Sequence, residues 1–95
     1  MRKTTVIFKN HPTPTGGLEN ITMKGCAIAN NGSPNVMRPQ ILIHLPKLDP
    51  RDVTGAFVNY DGHDWHVIGV TAPQMDENTP TTFNRYAIAE RIRAL

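Results

Sequence analysis

The chain has 95 residues, 39% hydrophobic and 6% aromatic content, and a formal net charge of +2. That length holds one domain with a modest core and excludes two. The charge is too small, and Lys and Arg too scattered, to argue for a nucleic-acid or membrane partner. Eight Pro and seven Gly interrupt the chain too often for long helices, which favours short strands joined by turns.

Cys26, the single cysteine, has no intrachain disulfide partner. The apolar run Val6-Ile7-Phe8 that follows the basic start Arg2-Lys3 ends at Lys9, too short for a secretory signal, and no stretch reaches transmembrane length. A reducing cytosol is therefore the expected setting, and the triplets Asn20-Ile21-Thr22 and Asn31-Gly32-Ser33 read as chance matches to a glycosylation site.

Thr4 to Lys9 is β-branched and aromatic, and predicts a first strand. Asn10 to Gly17, with two prolines and paired glycines, predicts an exposed loop. Glu19 to Ala29 alternates, with Ile21 and Met23 on one face and Thr22 and Lys24 on the other. Gly25 within that strand predicts a bulge or a close backbone approach. Asn30 to Pro39 has the composition of a long functional loop.

Gln40 to Leu45 is apolar on both faces and predicts a central strand that stops at Pro46; Lys47 to Asp52 is a turn segment. Ala56 to Tyr60 and Trp65 to Val70 then flank Asp61-Gly62-His63-Asp64, the signature of a β-hairpin. Pro73 to Thr81 is another polar stretch.

The end of the chain is ambiguous. Tyr86 to Leu95 is rich in helix formers, with Ile88, Ile92 and Leu95 on one helical face. Five preceding strands need a partner to close a sheet, which favours a strand from Phe83 to about Ile92. In that reading Tyr86, Ile88 and Ile92 share the apolar face with Glu90, a misplaced charge, and Arg85, Arg91 and Arg93 lie opposite. The expected fold is all-β: a small barrel or sandwich of about six antiparallel strands with long loops, the last segment being the one with helical character.

The hairpin holds the densest set of potential ligands, Asp61, His63, Asp64 and His66. Carboxylate and imidazole suit zinc and similar ions. Strand alternation opposes a joint site, because neighbours point to opposite faces, and Asp64 with His66 is only two ligands. Turn chemistry explains Asp61-Gly62 without a metal. A Cys-His nucleophile pair needs Cys26 beside His44 or His66, yet no basic residue flanks Cys26 to lower its pKa, so a buried structural thiol is expected. No nucleophile elbow, phosphate loop or dinucleotide fingerprint occurs. No catalytic residue, metal or cofactor is expected.

A small barrel that binds nucleic acid is the alternative, with Trp65 or Tyr60 as the stacking residue. Core packing is the simpler account of Trp65, and Trp65, Val67, Ile43 and Phe57 are expected to form the framework. Function then falls to the loops. Asn30, Asn31, Gly32, Ser33 and Asn35 in one, and Gln74, Asp76, Glu77 and Asn78 in the other, are the candidate partner- or channel-facing residues.

The order of segments resembles a known family. A Gly-containing strand (Ile21 to Ala29), a long loop and Ile41-Leu42-Ile43-His44-Leu45-Pro46 are followed by an Asp-bearing turn and a hairpin ending in Trp65-His66-Val67-Ile68-Gly69-Val70. A polar loop and Phe83-Asn84-Arg85-Tyr86-Ala87-Ile88-Ala89 complete the pattern. This is similar to the small minor capsid and head–tail connector proteins of tailed phages. The resemblance spans nearly the whole chain and includes no catalytic motif. It implies a β-barrel that assembles as a homo-oligomeric ring, a hexamer or dodecamer, below the portal. Such a ring completes the head as a stopper, contacts portal or adaptor and tail proteins, and meets DNA only as it passes through the channel. It further implies a virion protein, from a phage or prophage, made in the host bacterial cytoplasm without a membrane partner. The helix-prone final segment departs from the family pattern.

Overall fold

The computed structural model describes residues 3–31, 39–46, 49, 51–71 and 83–92. The strands are β1 (Thr4–Pro12), β2 (Leu18–Asn31), β3 (Gln40–Pro46), β4 (Phe57–Tyr60), β5 (His63–Thr71) and β6 (Phe83–Arg91). All neighbouring strands are antiparallel, and they close into a barrel in the order β1-β2-β3-β6-β5-β4.

The final segment is a strand. Its helix formers yield to ladders on both sides, from Gln40↔Glu90 to Pro46↔Phe83 against β3 and from Trp65↔Arg91 to Thr71↔Tyr86 against β5. Hydrogen bonding along both edges outweighs a propensity difference of a few tenths of a kcal/mol per residue.

The face of β6 that turns inward is the reverse of the expected one. Ala87 and Ala89 are fully buried, whereas Tyr86, Ile88 and Glu90 are half-buried on the outer face. The interior is already filled by Phe8, Met23, Ile41, Ile43, Leu45, Trp65 and Val67, and the remaining space takes only methyl groups. Glu90 is thus no defect: it accepts a long hydrogen bond from Gln40 Nε2 at 3.5 Å.

Bulges interrupt the ladders and bend the strands in the sense that barrel closure requires. On β2, the step from Val6↔Met23 to Thr4↔Cys26 inserts one residue, and Gly25 takes up the distortion at φ 80°. On β1, Asn10 stands between Phe8↔Ile21 and His11↔Glu19 at φ 55°, with its N–H donating to Asn20 Oδ1 at 3.1 Å. That bulge carries β1 on to Pro12, past the expected end at Lys9. On β5, Ile68 is the extra residue between Val67↔Ala89 and Gly69↔Ile88.

The hairpin turn is tighter than expected. Only Asp61 and Gly62 lie outside the strands, at φ 53° and 75°, the pattern of a type I′ turn; His63 and Asp64 already belong to β5.

The β3–β4 connection crosses one end of the barrel. Val53 and Ala56 are fully buried there, and Ala56 extends the hairpin by accepting from Val67 N–H at 2.9 Å. Asn30 and Asn31, expected in a loop, continue the ladder of β2 against Ile41 and Gln40, so the β2–β3 connection is shorter than the composition implied.

Candidate functional site

The hairpin residues do not converge. Asp64 pairs with Asn59 across β4–β5 and accepts from Asn59 Nδ2 at 3.2 Å, while its carbonyl accepts from Ile92 N–H at 2.9 Å. His66 lies flat on Phe57, with ring centroids 4.9 Å apart and planes inclined by 22°. Asp61 and His63 are exposed at the turn. Among the described residues, no group of three His, Cys, Asp or Glu side chains is placed to hold a metal ion.

Cys26 and His44 occupy opposite faces of the sheet. The thiol is fully buried and donates weakly to Met23 C=O at 3.6 Å, whereas His44 is on the outer face beside Tyr86. Burial, with the Asp49 carboxylate as a smaller contribution, pushes the Cys26 thiol up to about 11. A thiol so held carries almost no thiolate at neutral pH, the opposite of an activated nucleophile. Burial also lowers the His44 pKa below its ordinary value.

Of the expected framework side chains, Trp65, Val67 and Ile43 are in the core. Trp65 is 6% exposed, and its indole N–H donates to Tyr60 C=O at 2.9 Å. A buried indole presents no face to a base, so the stacking role considered for Trp65 is overturned. Phe57 departs from expectation in the other direction. It is half-buried on the outer face against His66, and Val58 takes the inward position beside it.

The candidate loop residues Gly32, Ser33, Asn35, Gln74, Asp76, Glu77 and Asn78 lie outside the described residues. The strands nevertheless fix where each connection departs. One leaves β2 at Asn31 and returns at Gln40, at the same end of the barrel as the Asp61-Gly62 turn. The other leaves β5 at Thr71 and returns at Phe83, at the opposite end with Pro46. The two polar connections therefore start from opposite mouths.

Two features had no clear signal in the sequence. At the mouth near Pro46, Asp49 accepts from Arg51 Nη2 at 2.7 Å and Nε at 3.0 Å, and Arg51 also donates to Thr22 C=O at 3.1 Å. Arg85 donates to the Asp49 carbonyl. The Arg51 hydrogen bonds hold the Asp49 carboxyl below its usual range. This network pins the crossing segment to β2 and β6.

The second feature is the seam where β1 meets β4. The ladder there is confined to Lys9↔Phe57. Toward the N-terminus of β1 an open groove of about 310 Å³ separates the strands, lined by Thr5, Ile7 and Lys9 on one side and Asn59 and Tyr60 on the other, with Ile28 also contributing. Its only trace in the sequence is Ile7, an apolar residue on the polar face of β1, which is 47% exposed.

No protein family, curated protein or solved structure matches the chain.

Proposed function

We propose that the chain is a structural subunit of a tailed-phage or prophage particle, a head–tail connector or minor capsid protein that assembles as a ring below the portal and joins the tail. The observation that supports this reading most is that the strand ends joined by the two polar connections, Asn31/Gln40 and Thr71/Phe83, lie at opposite mouths of one small barrel. A subunit that bridges two partners along an axis needs contact surface at both ends and a rigid frame between them. The frame absorbs Trp65 and Cys26 into its core, which leaves the loops and the outer face for contacts. The order of sequence segments supplies the family resemblance on which the phage assignment rests.

In this reading the ring contains copies of the chain only, and it contacts portal or adaptor proteins on one side and tail proteins on the other. Catalysis and cofactors have no part in it. The test is assembly: the purified chain is concentrated and imaged by negative-stain electron microscopy, then co-expressed with tailed-phage portal and capsid proteins. Rings, or incorporation into heads, are the expected result. A protein that stays monomeric at high concentration and never joins heads sinks the reading.

A further inference from the structure

We propose that the β1–β4 seam is a docking groove for an extended polypeptide segment, which enters as an added strand and seats a carboxylate on Lys9. This goes beyond the connector reading and depends only on the barrel's own geometry.

The β1–β4 ladder is the shortest among the described strand pairs. β4 pairs with β5 from Phe57↔His66 to Tyr60↔His63, but with β1 only at Lys9↔Phe57. Continuing that register would set Ile7 opposite Asn59 and Thr5 opposite Asp61. Instead the two strands diverge and the groove lies between them.

Backbone directions follow from the hairpin. A two-residue turn makes Tyr60↔His63 a hydrogen-bonded pair, so Val58 also bonds toward β5 and the N–H and C=O of Asn59 face β1. By the same alternation from Lys9↔Phe57, the backbone groups of Ile7 and Thr5 face β4. The groove thus has polar backbone on both walls, the arrangement that β-augmentation uses.

Side chains specify the occupant further. Lys9 is the only charged residue in the groove lining, and it has no ion pair among the described residues. The Lys9 ammonium on one wall favours a carboxylate on the incoming strand. Val6, Val58 and Tyr60, which face the core, offer apolar surface to alternate side chains of that strand, while Ile7 shares the outer face with Lys9. The occupant is therefore an extended peptide in which apolar residues alternate with polar ones and one of the latter is acidic.

The full chain, labelled with nitrogen-15, is titrated with a blocked hexapeptide of sequence Thr-Val-Glu-Val-Thr-Val to about 1 mM. The expected result is saturable movement of the Thr5, Ile7 and Asn59 amide signals, together with slower hydrogen exchange at these positions. A peptide with Lys in place of Glu binds about fivefold more weakly, the scale of one exposed ion pair. The exposed substitution Lys9→Glu reverses that preference. Absence of saturable shifts, shifts that map away from the seam, or indifference to the charge swap each overturn the proposal. Movement of the same amides on raising protein concentration without peptide would assign the seam to a second copy of this chain and overturn it too.

Discussion

Cys26 shows how burial decides what a residue can do. The side chain is chemically a nucleophile, but the core around it favours the neutral thiol and raises its pKa from 9.0 to about 11. An unfolded thiol ionises from pH 9 upward while the folded one does not, so its contribution is intact below pH 9 and is lost as pH rises toward 11. Urea denaturation at pH 8 and at pH 10.5 should show a loss that is roughly 2 kcal/mol larger in the wild type than in Cys26→Ala. At pH 8, Cys26→Ala itself costs about 1 kcal/mol through lost packing. Trp65 is the second case. Its emission should be blue-shifted in the native state and unchanged by single-stranded oligonucleotides at low salt; quenching there would place the indole at a surface. Trp65→Phe, which loses the bond to Tyr60 C=O, is expected to cost about 1 kcal/mol in the same denaturation assay.

At the scale of elements, short irregularities shape the strands. Gly25 at φ 80° lets β2 absorb one residue, and the bend turns Cys26 into the core next to a strand whose partner register has shifted. A Cβ at Gly25 meets nothing closer than Pro46 Cβ at 3.9 Å, so Gly25→Ala is charged only with left-handed backbone, about 1 kcal/mol. Gly55, at φ 89°, also lies against Pro12, whose Cδ would stand 3.3 Å from an added Cβ. Gly55→Ala should therefore lower the thermal midpoint more than Gly25→Ala does. Equal losses would mean that the contact with Pro12 yields freely. Bulges of this kind were legible in part: an isolated glycine in an alternating strand announces one, whereas Asn10 and Ile68 carry no comparable mark.

At the scale of the whole molecule, closure allocates the interior. The barrel interior is a fixed volume filled by large side chains from β1, β2, β3 and β5, which leaves β6 to contribute Ala87 and Ala89. Enlarging Ala89 to Leu should destabilise the protein by about 1–3 kcal/mol, while Ile88→Leu on the half-buried outer face should change stability by less than about 0.5 kcal/mol. The opposite order would restore the face assignment that hydrophobicity alone suggests. Closure also explains the seam. β1 and β4 are the two ends of the strand order, and the short β4 makes a ladder with β1 only at Lys9↔Phe57.

The amino-acid sequence by itself determined the class of fold, the number of strands, their approximate spans, the Asp61-Gly62 hairpin and the membership of Trp65, Val67 and Ile43 in the core. Those follow from alternation, turn chemistry and β-propensity, which act over a few neighbouring residues. Only the tertiary structure decided which face of β6 turns inward, that Phe57 stands outside, that Val53 of the β3–β4 connection closes one mouth, and that β1 and β4 leave a groove between them. Each of these depends on volume and pairing shared among strands far apart in the chain, and no local pattern carries that information. The same pairing sets the strand ends Asn31/Gln40 and Thr71/Phe83 at opposite mouths of the barrel.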